Sequence, residues 1–358
     1  MPELRLRQYH EINGALFRAE AGWQVPAGYG SLPSEVRAVR THAGVMDVSD
    51  RAKIELTGSE RVPFLDGLVT PDIKVLTPGT SAYALVLNEK SRVLGDFRIY
   101  AFADSLVLDI EAAQKESILG ILNKGRVSDD VEFRDLGWTG HIAIHGPASA
   151  SLISSALGWD VRSLPLNAFR MYPMDRHHEG HVARIEGTVE IGYSIWSPGA
   201  DLADVWDALS RRGLSPIGRD AHEVLRIEAG IPRFSAEMSE ETLALEVAPE
   251  SALSFTKGCY VGQEVVARGT YVGQIRRKLF GLRVDVDVPP VQGDRVSKAG
   301  REVGFVTSGT WSPTLGRTIA LALLRIDEVS PADSLHVDRG GWDLRARLHS
   351  LPFVARSE

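Results

Sequence analysis

The sequence predicts an α+β fold that ends in an all-β domain, and three observations carry that prediction. Up to about residue 275, helical and strand patterns mix without the regular βαβα order of a doubly wound sheet. From about 278 the texture turns to short strands punctuated by Gly and Pro, with no helical pattern. The composition, 44% hydrophobic and 24% charged over 358 residues, is that of a globular chain long enough for two or three cores. Breaks fall near 50, 138 and 275.

The elements follow in chain order. "SEVRAVRTHAG" opens on a Ser cap with an acidic first turn and stops near Gly44, which predicts a short helix. "KIELTG" reads as a strand and "RVPFLDGLV" as a short amphipathic helix. "SAYALVLN", "RVLGDFRIYAF" and "SLVLDI" read as three strands joined by tight turns. "AAQKESILGILNKG" is a helix closed by Gly125. "HIAIHGPAS" is a strand that runs into a helix, and "VARIEGTVEIGYSIW" is a hairpin pair. "ADVWDALSRRG" and "RDAHEVLRIEAG" are helices stopped by Gly213 and Gly230. "KLFGLRVD", "RVSKAGREVGFVTSGTW" and "LHVDRGGWDLRARLH" supply the terminal strands.

Composition excludes several function classes. A net charge of −7 argues against direct, broad electrostatic binding of nucleic acid. Apolar runs such as "TIALALLRI" are far shorter than the ~20 residues of a bilayer span. The N-terminal "MPELRLRQYHEING" has no apolar core of a signal peptide. A single cysteine forms no internal disulfide and no four-thiolate cluster site, so a reducing cytoplasm is expected. GxxxxGK[ST], HExxH, CxxC and GxSxG are absent, and "HH" at 177–178 reads as a polar loop, so no metal is expected. A monomer is expected.

That cysteine stands in "KGCYVGQE", residues 257–264. Lone cysteines are commonly small buried hydrophobes. Here the residue sits in a glycine-flanked turn beside Lys257 and close to Arg268, and nearby cations favour the thiolate. Gly258 and Gly262 permit a tight backbone, while Gln263 and Glu264 add an amide and a carboxylate. Between Lys257 and Lys278 the chain sets Lys257, Arg268, Arg276, Arg277 and Lys278 against Glu264 alone. Local chemistry leaves a structural and a reactive Cys259 equally open.

"KGCYVGQEVVAR" resembles the K-G-C-aromatic-x-G-Q-E-x-x-x-R signature of YgfZ-type proteins, a branch of the folate-binding superfamily of the glycine-cleavage T protein, an aminomethyltransferase. "RTHAGVMDVSDRAKIELTG", "LRIEAGIPRFSAEM" and "GFVTSGTWSPTLGRTIALALL" resemble three further blocks of the T protein, so the likeness spans nearly the whole chain. It implies a three-domain cloverleaf around a tetrahydrofolate channel. The expected parts are 1–50 with 139–250, an inserted 51–138, a signature linker 251–277 and a barrel-like 278–358.

The resemblance also implies site residues. "EGTVEIGY" places Glu190 where the family has the pterin-binding carboxylate, with Tyr193 after it, although Gly187 and Val189 depart from the pattern. Arg226 matches an arginine near the cofactor, and Tyr29 is either a wall of the channel or a packing residue. Lys257, Cys259, Gln263, Glu264 and Arg268 form the working motif. In "LNEKSRVLGDFRIY" Gly95 stands at the T protein's catalytic aspartate and Asp96 beside it, pointing to the other face of the strand. Classical aminomethyl transfer is therefore in doubt, since glycine moves no proton. The branch implies tetrahydrofolate binding in iron–sulfur cluster assembly or repair, and thereby tRNA modification, with iron–sulfur enzymes as clients. A folate-dependent one-carbon transferase using another acid or base is the alternative.

Overall fold

The computed structural model describes residues 3–137, 139–174, 177–199, 202–272 and 275–355, the side chains of 268–272 excepted. Its architecture is two helix-covered sheets and a closed barrel.

The first sheet has six strands, ordered Phe169–Pro173, Glu179–Ile185, Gly192–Pro198, Thr139–His145, Gly44–Asp47 and Ser215–Pro216. Only its last pair is parallel. Strand alternation divides its faces. Ile142, Ile144 and Ile195 enter a core with Trp206 and Leu152 from two covering helices, Ala203–Ser210 and Ser149–Leu157. On the other face Ala143 packs under Val39 and Val224, from the helices Leu32–Thr41 and Arg219–Ala229. The first of these begins at Leu32, two residues before the expected Ser34, because Pro33 suits a helix's first turn. The second stops at Gly230 in the left-handed conformation, φ +69°.

The second sheet, ordered Thr80–Leu87, Val93–Ala101, Leu106–Ile110, Ala52–Thr57 and Glu132–Asp135, is antiparallel throughout. Phe97, Ile99 and Ala101 face Ile118 and Leu122 of the helix Lys115–Gly125. The barrel closes in the order Arg277–Val284, Arg317–Arg325, Arg301–Ser312, Arg295–Lys298, Ser334–Arg339 and Trp342–His349.

Two seams join these units. Tyr100 of the second sheet meets Phe169 and Trp196 of the first. Leu85, Leu87 and Val93 meet Met238, Ala244, Tyr260, Val266 and the barrel's Leu323. Elements that were not foreseen include the helix Gln263–Val272 and an N-terminal helix Arg7–Ile12 with the hairpin Leu16–Glu20/Trp23–Gly28. Its buried His10 bonds Asp47 at 2.9 Å, which ties the N-terminal helix to the first sheet. Among the described residues no helix is long and apolar enough to cross a membrane.

Candidate functional site

The faces of Val93–Ala101 decide which carboxylate reaches the centre of the molecule. Gly95 lies on the core side: a Cβ there would stand 2.6 Å from Ile118 Cδ1 and 3.0 Å from Gln114 Oε1. Asp96 lies on the face that looks toward the other domains. Tyr83 donates its hydroxyl to Asp96 Oδ2 at 2.8 Å, and Gln114 donates Nε2–H to Oδ1 at 2.9 Å. Gln114 Oε1 also accepts the Asp96 backbone N–H at 3.0 Å, so one side chain grips the residue at two points. Burial raises the Asp96 pKa above its ordinary value, with the bonds from Gln114 and Tyr83 opposing it. The sequence reading took the glycine for the catalytic place; packing puts that place inside the domain and turns Asp96 to the centre.

Around Asp96 the segments that precede the barrel contribute a mixed-charge wall. Glu111 follows the strand Leu106–Ile110, and its carboxylate lies 3.6 Å from Arg51 Nη1. Burial raises its pKa; Arg51 opposes this, Asp96 adds to it, and Arg233 and Arg219 oppose it. Its side chain nevertheless keeps 38% exposure. Arg233 and Glu223 opposite it keep 40% and 34%. Groups desolvated by their surroundings yet reached by solvent line a cleft. Arg219 closes one side, bonding Asp50 at 2.5 Å.

The residues expected to hold a cofactor are engaged in contacts within the protein. Arg226 spends its donors inside the protein: on Glu223 at 2.6 and 2.9 Å, on Glu237 at 2.9 Å, on the Ile231 carbonyl at 2.6 Å and on Ser308 Oγ at 2.8 Å. It clamps the helix to the barrel, and is not the half-exposed helix pair a local reading allows. Glu190 is buried and accepts from Arg40 at 2.9 Å, and the same guanidinium bonds Glu228. Its carboxylate is thereby committed to a domain-joining network that continues to Ser312. Tyr193 points into the first core and donates to the Val161 carbonyl at 3.1 Å. Tyr29 bonds His10 Nδ1 at 2.8 Å through its hydroxyl, a packing contact of the N-terminal segment.

Gly187 has a physical reason. A Cβ there would stand 2.7 Å from His145 Cε1, and one at Gly192 would stand 2.7 Å from His145 Nδ1. His145 therefore fills the space into which a larger residue at 187 would project. Its ring lies 5.8 Å from that of His222. Burial lowers His145 to about 4; burial and then His145 lower His222 to about 3, so both are neutral imidazoles.

The signature loop is built for anchoring. Lys257 is buried, and its Nζ donates to the carbonyls of Asp66, Val69 and Pro71 at 2.7, 2.7 and 2.8 Å, with Asp66 Oδ1 at 3.3 Å. The expectation that it activates the neighbouring thiol gives way to this clamp, because an ammonium has three donors and all are spent. Tyr260 inserts into the second seam and receives the Lys257 cation 4.6 Å from its ring centre. Gln263 Nε2 closes the turn on the Lys257 carbonyl at 3.1 Å. Gly262, at φ +84°, passes so close that a Cβ would meet the Asn88 carbonyl at 2.7 Å. With Lys257 and Tyr260 turned in, Cys259 is turned out and exposed. Glu264 is exposed in the first turn of its helix, where a negative charge suits the dipole. The side chain of Arg268 lies outside the described residues.

Comparison with known proteins now bears on this geometry. The GCVT N-terminal domain family matches residues 6–257, and the glycine cleavage T-protein C-terminal barrel domain matches residues 277–355. The chain is 32% identical over 344 residues to the aminomethyltransferase of Geobacillus kaustophilus, covering 94% of each protein. It is 31% identical over 347 residues to that of Aquifex aeolicus, covering 96% of this chain and 93% of the relative. The crystal structure of the glycine cleavage system aminomethyltransferase T from Bartonella henselae superposes with a TM-score of 0.89 over 99% of this chain and 98% of that one, at 24% identity. That likeness shows the fold: α+β domains of the T-protein type and a closed six-stranded barrel. The chain belongs to the glycine cleavage T-protein family.

Proposed function

We propose that this protein binds tetrahydrofolate in the central cleft and transfers a one-carbon group to or from it, with Asp96 as the acid–base. The observation that carries the reading is the cleft-facing Asp96 carboxylate, held at both oxygens by Tyr83 and Gln114. Among the described residues Trp196 Nε1 and His145 Nδ1 are buried without hydrogen-bond partners, at two separate places along the first sheet. His145, lying against Gly187 and Gly192 beside Glu190, would offer the ring a polar contact, and Asp96 would stand at the reacting nitrogen. Tetrahydrofolate supplies the nitrogen that accepts or releases the carbon. Burial raises the pKa of Asp96 above its ordinary value, the direction that suits a general acid–base. The relatives named aminomethyltransferase support this reading over one without transfer chemistry.

Equilibrium binding of tetrahydrofolate, measured by calorimetry under anaerobic, reducing conditions, tests it. We expect micromolar binding that His145→Phe weakens by roughly tenfold through a lost polar contact and a filled ring space. No heat with the native protein would remove the cofactor from the reading.

A second reading rests on the signature loop: a folate-binding protein of the YgfZ type that serves iron–sulfur clients through Cys259. It is favoured by the exposure of that thiol on a loop pinned at Lys257 and Tyr260. Cys259→Ser should then lower client enzyme activity severalfold while tetrahydrofolate affinity and melting temperature stay put. Client activity unchanged in a strain carrying only the serine variant would leave the transferase reading alone.

A further inference from the structure

We propose that the two oxygens of the Asp96 carboxyl have different duties: Gln114 holds Oδ1 as a permanent acceptor, and Oδ2, beside the Tyr83 hydroxyl, takes and gives the proton. The assignment rests on the transfer reading and makes Gln114 a positioning residue. It starts from the backbone. The Asp96 N–H meets the Gln114 side chain at 3.0 Å, and a backbone N–H only donates, so the atom it meets is Oε1. That fixes the amide. Its Nε2, a donor only, is left facing Asp96 Oδ1 at 2.9 Å.

Gln114 is itself held. It is buried where the short turn Ala112–Gln114 runs into the helix Lys115–Gly125. Its N–H donates to the Glu111 carbonyl at 2.9 Å, and its carbonyl accepts from Ser117 Oγ at 2.9 Å. Gly95 completes the arrangement: a Cβ there would crowd Gln114 Oε1 at 3.0 Å. The glycine that reads in the sequence as a missing carboxylate is what lets the amide lie against the strand and grip Asp96.

Tyr83 differs from Gln114 in its chemistry. It stands on the neighbouring strand, diagonal to Asp96, which pairs with Leu85. Its hydroxyl, 2.8 Å from Oδ2, donates to a carboxylate and turns to accept from a carboxylic acid. A proton on Oδ2 therefore leaves both partners bonded. A proton pointing from Oδ1 at Nε2 would set donor against donor. Among the described residues no ion pair reaches either oxygen; Arg51 and Arg233 favour the carboxylate through their fields, and Glu111 lies in the field of Asp96. In release, the O–H bond on Oδ2 breaks and the proton passes to the lone pair of the reacting nitrogen. The electron pair stays on the carboxylate, where Gln114 already donates and Tyr83 turns back to donate. Uptake is the reverse.

Infrared spectroscopy of the ligand-free protein tests the assignment. The difference spectrum between acid and neutral pH, with Asp96→Asn as the blank, isolates the C=O stretch of protonated Asp96. That band rises in frequency when its carbonyl oxygen loses a hydrogen bond. With the proton on Oδ2, the carbonyl oxygen is Oδ1. Gln114→Met, close in volume and without an amide, should move the band up and raise the carboxyl's proton affinity by about tenfold or more, the usual effect of losing one hydrogen bond to a charged group. Gly95→Ala, which pushes the amide away, should shift the band the same way and serves alone if Gln114→Met does not fold. Tyr83→Phe should leave the band in place. A band moved up by Tyr83→Phe and not by the other two puts the proton on Oδ1 and overturns the proposal, as does a band that no variant moves. Calorimetry with tetrahydrofolate separates this result from the function beneath it. Bands that shift as expected in a protein that binds no tetrahydrofolate keep the oxygen assignment and overturn the transfer reading.

Discussion

Asp96→Asn is expected to lower one-carbon transfer by about a hundredfold or more, the usual range for removing a general acid–base, while tetrahydrofolate affinity changes by only a few fold. Asparagine keeps the shape and still accepts from Tyr83 at one position, so the loss would report proton transfer rather than packing. The informative companion is Gly95→Asp, which puts a carboxylate where the sequence reading placed the catalytic one. On the present geometry it rescues nothing. The new Cβ would meet Ile118 Cδ1 at 2.6 Å, and the carboxylate would enter a core made by Phe97, Ile99 and Leu122. A buried, unpaired carboxylate and overpacking together cost about 3 kcal/mol or more. Thermal unfolding and product formation, measured on both variants, separate the two positions. A stable Gly95→Asp protein with raised activity would return catalysis to position 95.

Acidification from pH 7 toward 4 should destabilise the protein progressively, beginning above the range where ordinary carboxylates titrate. His145 and His181 are buried and held at about 4, by burial in both cases. His141 is pushed well below its ordinary value by burial and then by the Lys53 ammonium 3.1 Å from its Nδ1. In the unfolded chain these imidazoles bind protons near pH 6.5. Between that value and about 4 the unfolded state therefore carries more protons, and stability falls as pH falls. Each of His145 and His181 costs about 3 kcal/mol by pH 4, from about 1.4 kcal/mol per pH unit, against a usual total of about 5–15 kcal/mol. Asp96 and Glu111, raised in the folded state, work in the opposite direction but number two against the histidines. Melting temperatures at half-unit steps from pH 7.5 to 4.5 would show the decline. His145→Gln should shallow it by up to one proton's worth. A flat profile down to pH 5 would mean that these rings protonate in place.

The same residues show where legibility ended. The buried clamp at Lys257 was invisible in "KGCYVGQE", because its acceptors are carbonyls of Asp66, Val69 and Pro71, nearly two hundred residues away in sequence. A lysine near a cysteine suggests activation until the partner loop is known. Glu190, Tyr193 and Arg226 were assigned by resemblance to a motif that this chain keeps only in part. The neighbours that tie them up, Arg40, the Val161 carbonyl and Glu237, share no local pattern with them. By contrast, the alternation of Phe97, Ile99 and Ala101 with Asp96 and Arg98 was legible. It announced two faces of one strand, and what it lacked was which face looked to the centre.

Local rules were enough for the α+β class, most of the helices and strands and the barrel-like C-terminal portion, while the T-protein superfamily came from the resemblance of whole motif blocks. Hydrophobic periodicity, caps and turn residues act over a few positions and are written in contiguous sequence. The tertiary structure alone decided which carboxylate faces the cleft and which cations are spent. Those outcomes depend on where a side chain's partners stand after three units dock. A buried charge is settled by its contacts in space, and these come from segments far apart in the chain.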